Sequence, residues 1–248
     1  MVLRIGAYYM LMWFFTMSLG GLQQEAGLLP ELTFLPQWGP GIAGLVTMLI
    51  FLKRDGVRIS FFSREMPFRR YLWAFLLPLG FGLLALVAAL LLFGDLQPLP
   101  LSTATIAMMI AGAIGEEIGW RGYLHKRIAP HLNGLWSSVI VGVLWASFHT
   151  PYYGGGLLYM VFFGLALVAL SVMAYAVLAE YQFNVLGSTL FHLAINLTSA
   201  LVAGLVLTLS LPFMVSYGVI GALLAAAVVY ARRDLFFDPR AALRIAEA

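Results

Sequence analysis

Apolar residues fall in eight blocks along this chain, over residues 5–22, 39–52, 71–93, 101–124, 135–153, 157–178, 185–205 and 209–230. A membrane-crossing helix needs roughly 20 such residues, and most of the blocks come close to it. Backbone amides left unpaired in lipid cost several kcal/mol each, so every block is expected to be helical. The pattern predicts an all-α, polytopic membrane helix bundle of about eight transmembrane helices, in a single membrane domain over residues 1–248. The second block, with 14 residues, reads as a tilted or partial span. Arg4 ahead of the first block has the look of a signal peptide. No small-residue cleavage site follows it, and a retained first span is expected.

The connectors carry the polar half of the pattern. Lys53, Arg54, Arg58, Arg64, Arg69 and Arg70 lie between the second and third blocks. Arg121, Lys126 and Arg127 lie around the fourth-to-fifth connector, Arg232, Arg233, Arg240 and Arg244 follow the eighth block, and Arg4 precedes the first. In an eight-span chain these 14 basic residues share one side, while Glu25, Glu31 and Asp95 face the other. The positive-inside rule then predicts that both termini are cytoplasmic. Residues 56–70 mix Phe61, Phe62 and Phe68 with arginines and read as a loop resting on acidic headgroups, as does the basic tail over 231–248.

Composition sharpens this picture. The chain is 62% hydrophobic and 10% charged, against about 25% charged in a soluble domain, and its mean hydropathy is +0.94. So little polar surface suits a molecule whose outside faces lipid. The net charge of +3 is explained by topology. The basic residues are not clustered with solvent-facing aromatics, so nucleic acid is not an expected partner. The lack of cysteine excludes disulfides, thiolate metal sites and a cysteine nucleophile.

A charged side chain inside a span costs at least ~2.5 kcal/mol on insertion scales, so each one demands a reason. The fourth block holds Glu116, Glu117 and Arg121, the fifth Trp145 and His149, and the seventh His192 and Asn196. Glu117 and Arg121 are four residues apart, acid first, the favourable order for an ion pair on one helix face. Glu116 is turned about 100° away, with Gly119 and Trp120 at i+3 and i+4 and no base in reach. Glu117 and Arg121 therefore read as a clamp, and Glu116 as a free carboxylate suited to general-base work. His192 and Asn196 share a face, as do Trp145 and His149. A carboxylate, two imidazoles and a carboxamide are parts for activating a water and stabilising an oxyanion, or for a proton-transport path. Two His and one Glu also make a hydrolytic zinc set, with His149 and His192 as ligands if this is a zinc enzyme. Zinc and a metal-free glutamate mechanism stay open. Glu180, His125 and His131 fall at block ends or connectors, where water can reach them.

The three motifs, Glu116-Glu117-x-x-x-Arg121, Trp145-x-x-x-His149 and His192-x-x-x-Asn196, resemble those of the CAAX protease and bacteriocin-processing family of intramembrane proteases, also called the Abi family. Order and polar positions agree. Trp145 departs from the more usual Phe and remains aromatic. The resemblance covers about 101–205. It implies an eight-helix bundle with a cavity opening towards the cytoplasm, in the membrane of a prokaryotic cell. It further implies water activation by Glu116 and His149, an oxyanion site at His192 and Asn196, and support from Glu117, Arg121 and Trp145. The expected activity is cleavage of a membrane-associated or prenylated-type peptide, with no cofactor or one zinc ion. The alternatives are a non-enzymatic bacteriocin-immunity or scaffold protein and a proton-coupled transporter. A transporter would more naturally show repeated halves, and none are found.

One tension concerns depth. Glu116 and His192 lie roughly 10 Å from the cytoplasmic ends of their blocks, and His149 about 20 Å from its own, at 1.5 Å per residue. For the three to meet, the fifth span must tilt or its start must dip into the bilayer. Pro130 and Gly134 make an irregular, buried connector there plausible.

Overall fold

The computed structural model describes residues 1–27, 34–51, 56–94 and 97–238. Eight helices of 12 residues or more follow the eight blocks in order: α1 (Val2–Glu25), α2 (Gly39–Ile50), α3 (Phe68–Phe93), α4 (Thr103–Gly119), α5 (Gly134–Phe148), α6 (Gly156–Leu178), α7 (Val185–Leu201) and α8 (Leu211–Ala231). Among the described residues all regular structure is helical. Length and composition make four segments sufficient to cross a membrane: Val2–Glu25, Phe68–Phe93, Thr150–Tyr181 and Leu211–Ala231. Gly134–Phe148 and Val185–Leu201 are apolar but shorter.

The three helices that carry the motifs start on side-chain caps. Ser102 Oγ accepts from Thr105 N at 3.1 Å, Asn133 Oδ1 from Trp136 N at 2.9 Å and Asn184 Oδ1 from Gly187 N at 2.9 Å. Each satisfies an orphan amide that lipid or a packed interior could not. Beyond Gly119, α4 widens into a π-turn over Trp120–His125, then returns to α geometry over Lys126–Ile128. A single 3₁₀ turn, Ala129–His131, leads to a buried Gly134. The irregular connector at Pro130 and Gly134 is thus present. The fifth block, read to residue 153, stops as a helix at Phe148, because Pro151 cannot continue it.

Helix α6 is the most buried span and packs between α5 and α8; α3 lies mainly against α7, and α2 bridges α1 to α4. Small residues let these backbones approach. A Cβ on Gly119 would lie 2.3 Å from the carbonyl group of Pro40, and one on Gly142 would lie 2.5 Å from Val168 Cα.

Polar contacts tie the helix ends into two opposite poles. At one, Arg4 lies over the Phe51 ring at 5.6 Å and Lys126 Nζ donates to Arg58 O at 2.8 Å. Val185 N and Leu186 N donate to Ser60 O and Phe61 O at 2.8 and 2.9 Å. Arg232 donates to Glu180 at 2.5 Å and to Ala176 O at 3.2 Å, with Arg70 3.6 Å from Glu180. At the other pole, Leu35 N donates to Gln23 Oε1 at 3.0 Å, Leu99 N to Ala200 O at 2.9 Å and Gly204 N to Gln97 O at 2.9 Å. The first pole holds every described Lys and Arg except Arg121; the described charge at the second is Glu25. Lys53, Arg54, Glu31, Asp95, Arg240, Arg244 and the tail beyond residue 238 lie outside the described residues.

Two sequence expectations change here. Arg121, grouped with a connector, is buried at 1% exposure. His125, expected to reach water, is fully buried and stacks on Phe183 with ring centroids 4.3 Å apart, because the π-turn carries it back under the bundle. Glu180 is exposed as expected but ties the ends of α3, α6 and α8 together. The 56–67 segment is non-helical and docked through its carbonyls onto α4 and α7, with Phe61, Phe62 and Phe68 exposed beside it.

Candidate active site

Glu116 and Glu117 leave α4 in different directions, as their 100° separation requires. Arg121 donates to Glu117 Oε1 at 2.7 Å. His192, from α7, puts Nδ1 on the same oxygen at 2.8 Å. The clamp therefore includes a third member, and it joins α4 to α7. All three side chains are nearly fully buried. Such a network persists in a low-dielectric interior when its charges are paired and hydrogen-bonded.

Glu116 receives a different bond. Trp145 Nε1–H, from α5, donates to Glu116 Oε2 at 2.9 Å. The same indole lies under the Arg121 guanidinium, with Cζ 4.1 Å from the ring centroid. It also meets the rings of His192 and His149 edge-on at 5.5 and 6.0 Å. Four of the seven residues singled out in the sequence thus converge on Trp145, which spacing alone suggested only as a neighbour of His149.

His149 ends α5. Its φ of −86° and ψ of 62° take the chain off the helix, and Nδ1 turns back to Trp145 O at 2.8 Å. A carbonyl only accepts, so Nδ1 carries the proton and Nε2 of the neutral ring is an acceptor. His192 is oriented likewise: Nδ1–H faces a carboxylate, and only the protonated ring also offers Nε2–H. His149 is half-buried where α5 ends, a place the depth argument reached by a tilted span or by a start that dips into the bilayer.

Glu116, Trp145, His149, His192 and Asn196 line one cavity of about 540 Å³. A smaller recess of about 180 Å³ adjoins it, sharing Gln37, Tyr152, Asn196 and Ser199. Sequence reasoning missed several wall residues. Tyr152 stacks on His149 at 5.9 Å. Gln37 and Tyr217 also line the cavity. Polar residues in apolar helices were the available signal, and Tyr and Gln are common enough there to escape notice.

Among the described residues no three His, Asp or Glu side chains converge as a metal site requires. His149 and His192 share the cavity with Glu116, each imidazole oriented by its own Nδ1 bond. With no described group of three brought together, no step is derived through a zinc ion.

The cavity opens at the pole away from the basic residues. Its rim is Gly20, Gln24 and Pro36 with Thr150, Pro151 and Val206, and the recess adds Phe34, Leu99 and Leu207. No connector of the basic pole lines either space. A cytoplasmic basic pole and a cavity opening to the cytoplasm, both expected from the sequence, are incompatible in this fold.

Residues 98–198 match the family model described as type II CAAX prenyl endopeptidase Rce1-like. The matched segment runs from the entry to α4 into α7 and contains all three motifs. No curated protein matches the chain.

Proposed function

We propose, from the match of residues 98–198 to the type II CAAX prenyl endopeptidase Rce1-like family model, that this chain is an intramembrane endopeptidase in which Glu116 activates the attacking water. The observation that carries this is a carboxylate facing a cavity together with two imidazoles and a carboxamide, held by a hydrogen bond from a neutral indole. Among the described residues no Lys or Arg pairs with Glu116, whereas Glu117 is held by Arg121 and His192.

In this reading a water donates one hydrogen bond to Glu116 and the other to Nε2 of His149. As the water oxygen adds to the scissile carbonyl carbon, Glu116 takes the proton. The oxyanion receives hydrogen bonds from the Asn196 amide and from Nε2–H of protonated His192, whose charge Glu117 balances. Glu116 then returns its proton to the leaving amine, and the C–N bond breaks to give a carboxylic acid and an amine. Glu117, Arg121 and Trp145 hold these groups in place. The substrate is a peptide segment associated with the membrane.

The test uses purified protein in liposomes with a library of lipidated and unlipidated peptides, read by mass spectrometry. Wild type should cleave, and Glu116→Gln should not, although the Gln can still accept from Trp145. Equal cleavage by both would remove Glu116 from the mechanism. A scaffold or immunity protein using the same cavity would instead bind a partner equally well with either residue. Activity that falls with a chelator and returns with zinc would overturn the metal-free reading.

A further inference from the structure

The cavity opens at one pole, and the basic residues occupy the other. Arg4, Arg58, Arg64, Arg69, Arg70, Lys126, Arg127, Arg232 and Arg233 all belong to the pole formed by the start of α1, the 56–70 segment, the end of α4 and the end of α8. The mouth belongs to the opposite connectors: the end of α1, Pro36–Trp38, Thr150–Gly155 and the turn after α7. Short loops rich in Lys and Arg stay in the cytoplasm. The fold therefore cannot orient by that rule and also open its site to the cytoplasm.

The basic pole is also closed. The 56–67 segment is fastened over it by Lys126 Nζ to Arg58 O and by two backbone bonds to the start of α7. Below it His125, Phe183 and Asn184 are fully buried. The other pole supplies the opposite surface. Gln24, Gln37, Thr150, Asn196 and Ser199 offer neutral amides and hydroxyls for a peptide backbone, and Phe213 and Met214 offer apolar wall for its side chains.

We propose that this site receives its substrate from the extracytoplasmic side of the membrane, as an uncharged, apolar peptide segment already exported or anchored in the outer leaflet. This rests on the protease reading for the cleavage step and on the fold for the side. A prenylated chain end made and held in the cytoplasm would meet the closed pole.

The lack of native cysteine makes the side directly measurable. Single-cysteine variants at exposed positions of the mouth pole, Ala26→Cys and Thr208→Cys, and at the rim, Thr150→Cys, are compared with Glu65→Cys at the basic pole. Intact cells are treated with a membrane-impermeant maleimide. Labelling of the first three, with Glu65→Cys labelled only after permeabilisation, is the expected result. The reverse pattern, or labelling of all four in intact cells, overturns the proposal. In sealed vesicles with the native outer face outward, apolar unlipidated peptides added outside should be cut by wild type and not by Glu116→Gln. Cleavage that needs permeabilisation overturns the proposal as well. If no peptide is cut on either side, the protease reading fails, while the labelling still decides which way the cavity faces.

Discussion

Trp145 sets the position of Glu116 through an N–H that a phenyl ring lacks. Replacing it by Phe keeps most of the aromatic surface against Arg121, His149 and His192 while deleting the bond to Glu116 Oε2. A hydrogen bond to a charged group contributes about 1.5–3 kcal/mol. Trp145→Phe should therefore lower kcat about tenfold or more with little change in KM, measured on any peptide that the wild type cuts. A purely packing role would leave kcat unchanged in a variant that melts normally. Most of the site's side chains were legible in the sequence for one reason: ionisable groups in apolar blocks are costly, so Glu116, Glu117, Arg121, His149 and His192 stood out. Partners were not legible. Helical spacing assigns a residue to a face, but it does not say that an indole on α5 reaches a carboxylate on α4, or that His192 shares one oxygen of Glu117 with Arg121.

Helix contacts here depend on glycine where two backbones meet. Gly119 faces Pro40 so closely that Gly119→Ala must push α2 away from α4, and overpacking of this kind costs about 1–3 kcal/mol. A drop of several degrees in melting temperature in detergent is expected, against no change for Gly6→Ala, where the added methyl meets nothing within 4 Å. An unchanged melting point for Gly119→Ala would mean that this contact is loose. Element starts were readable, since Ser102, Asn133 and Asn184 are capping residues immediately before apolar runs. Element ends were less so. Hydropathy carried the fifth block through Tyr152 and Tyr153, because apolar content does not register that Pro151 has broken the ladder and that His149 turns back on Trp145.

Among the described residues the molecule is a dipolar object, with its cations, the buried Arg121 apart, gathered at one pole and the carboxylate of Glu25 at the other. Anionic phospholipid should raise its melting temperature relative to purely zwitterionic vesicles, and added salt should close the difference, since cations near a charged leaflet contribute about 1 kcal/mol each and are screened within a Debye length. A salt-independent difference would assign the effect to something other than the basic pole. The asymmetry itself was visible in the connectors. The way the cavity faces was not, because a list of charges by loop says nothing about which pole the helices splay to open. Span count is similarly limited: a 12-residue α2 is about 18 Å long, short of a hydrocarbon core of ~30 Å, although its block is as apolar as its neighbours.

The π-turn at Trp120–His125 holds one residue more than an α-helical path would use. Losing a residue between 122 and 125 would remove that excess and let the ladder close as an α-helix, with the helix on either side still in register. Lys126 would keep its reach to the Arg58 carbonyl while Glu116 and Glu117 kept their places. The turn thus absorbs a change of one residue locally, between the chemistry and the docked segment, where a regular helix would pass it on as a rotation.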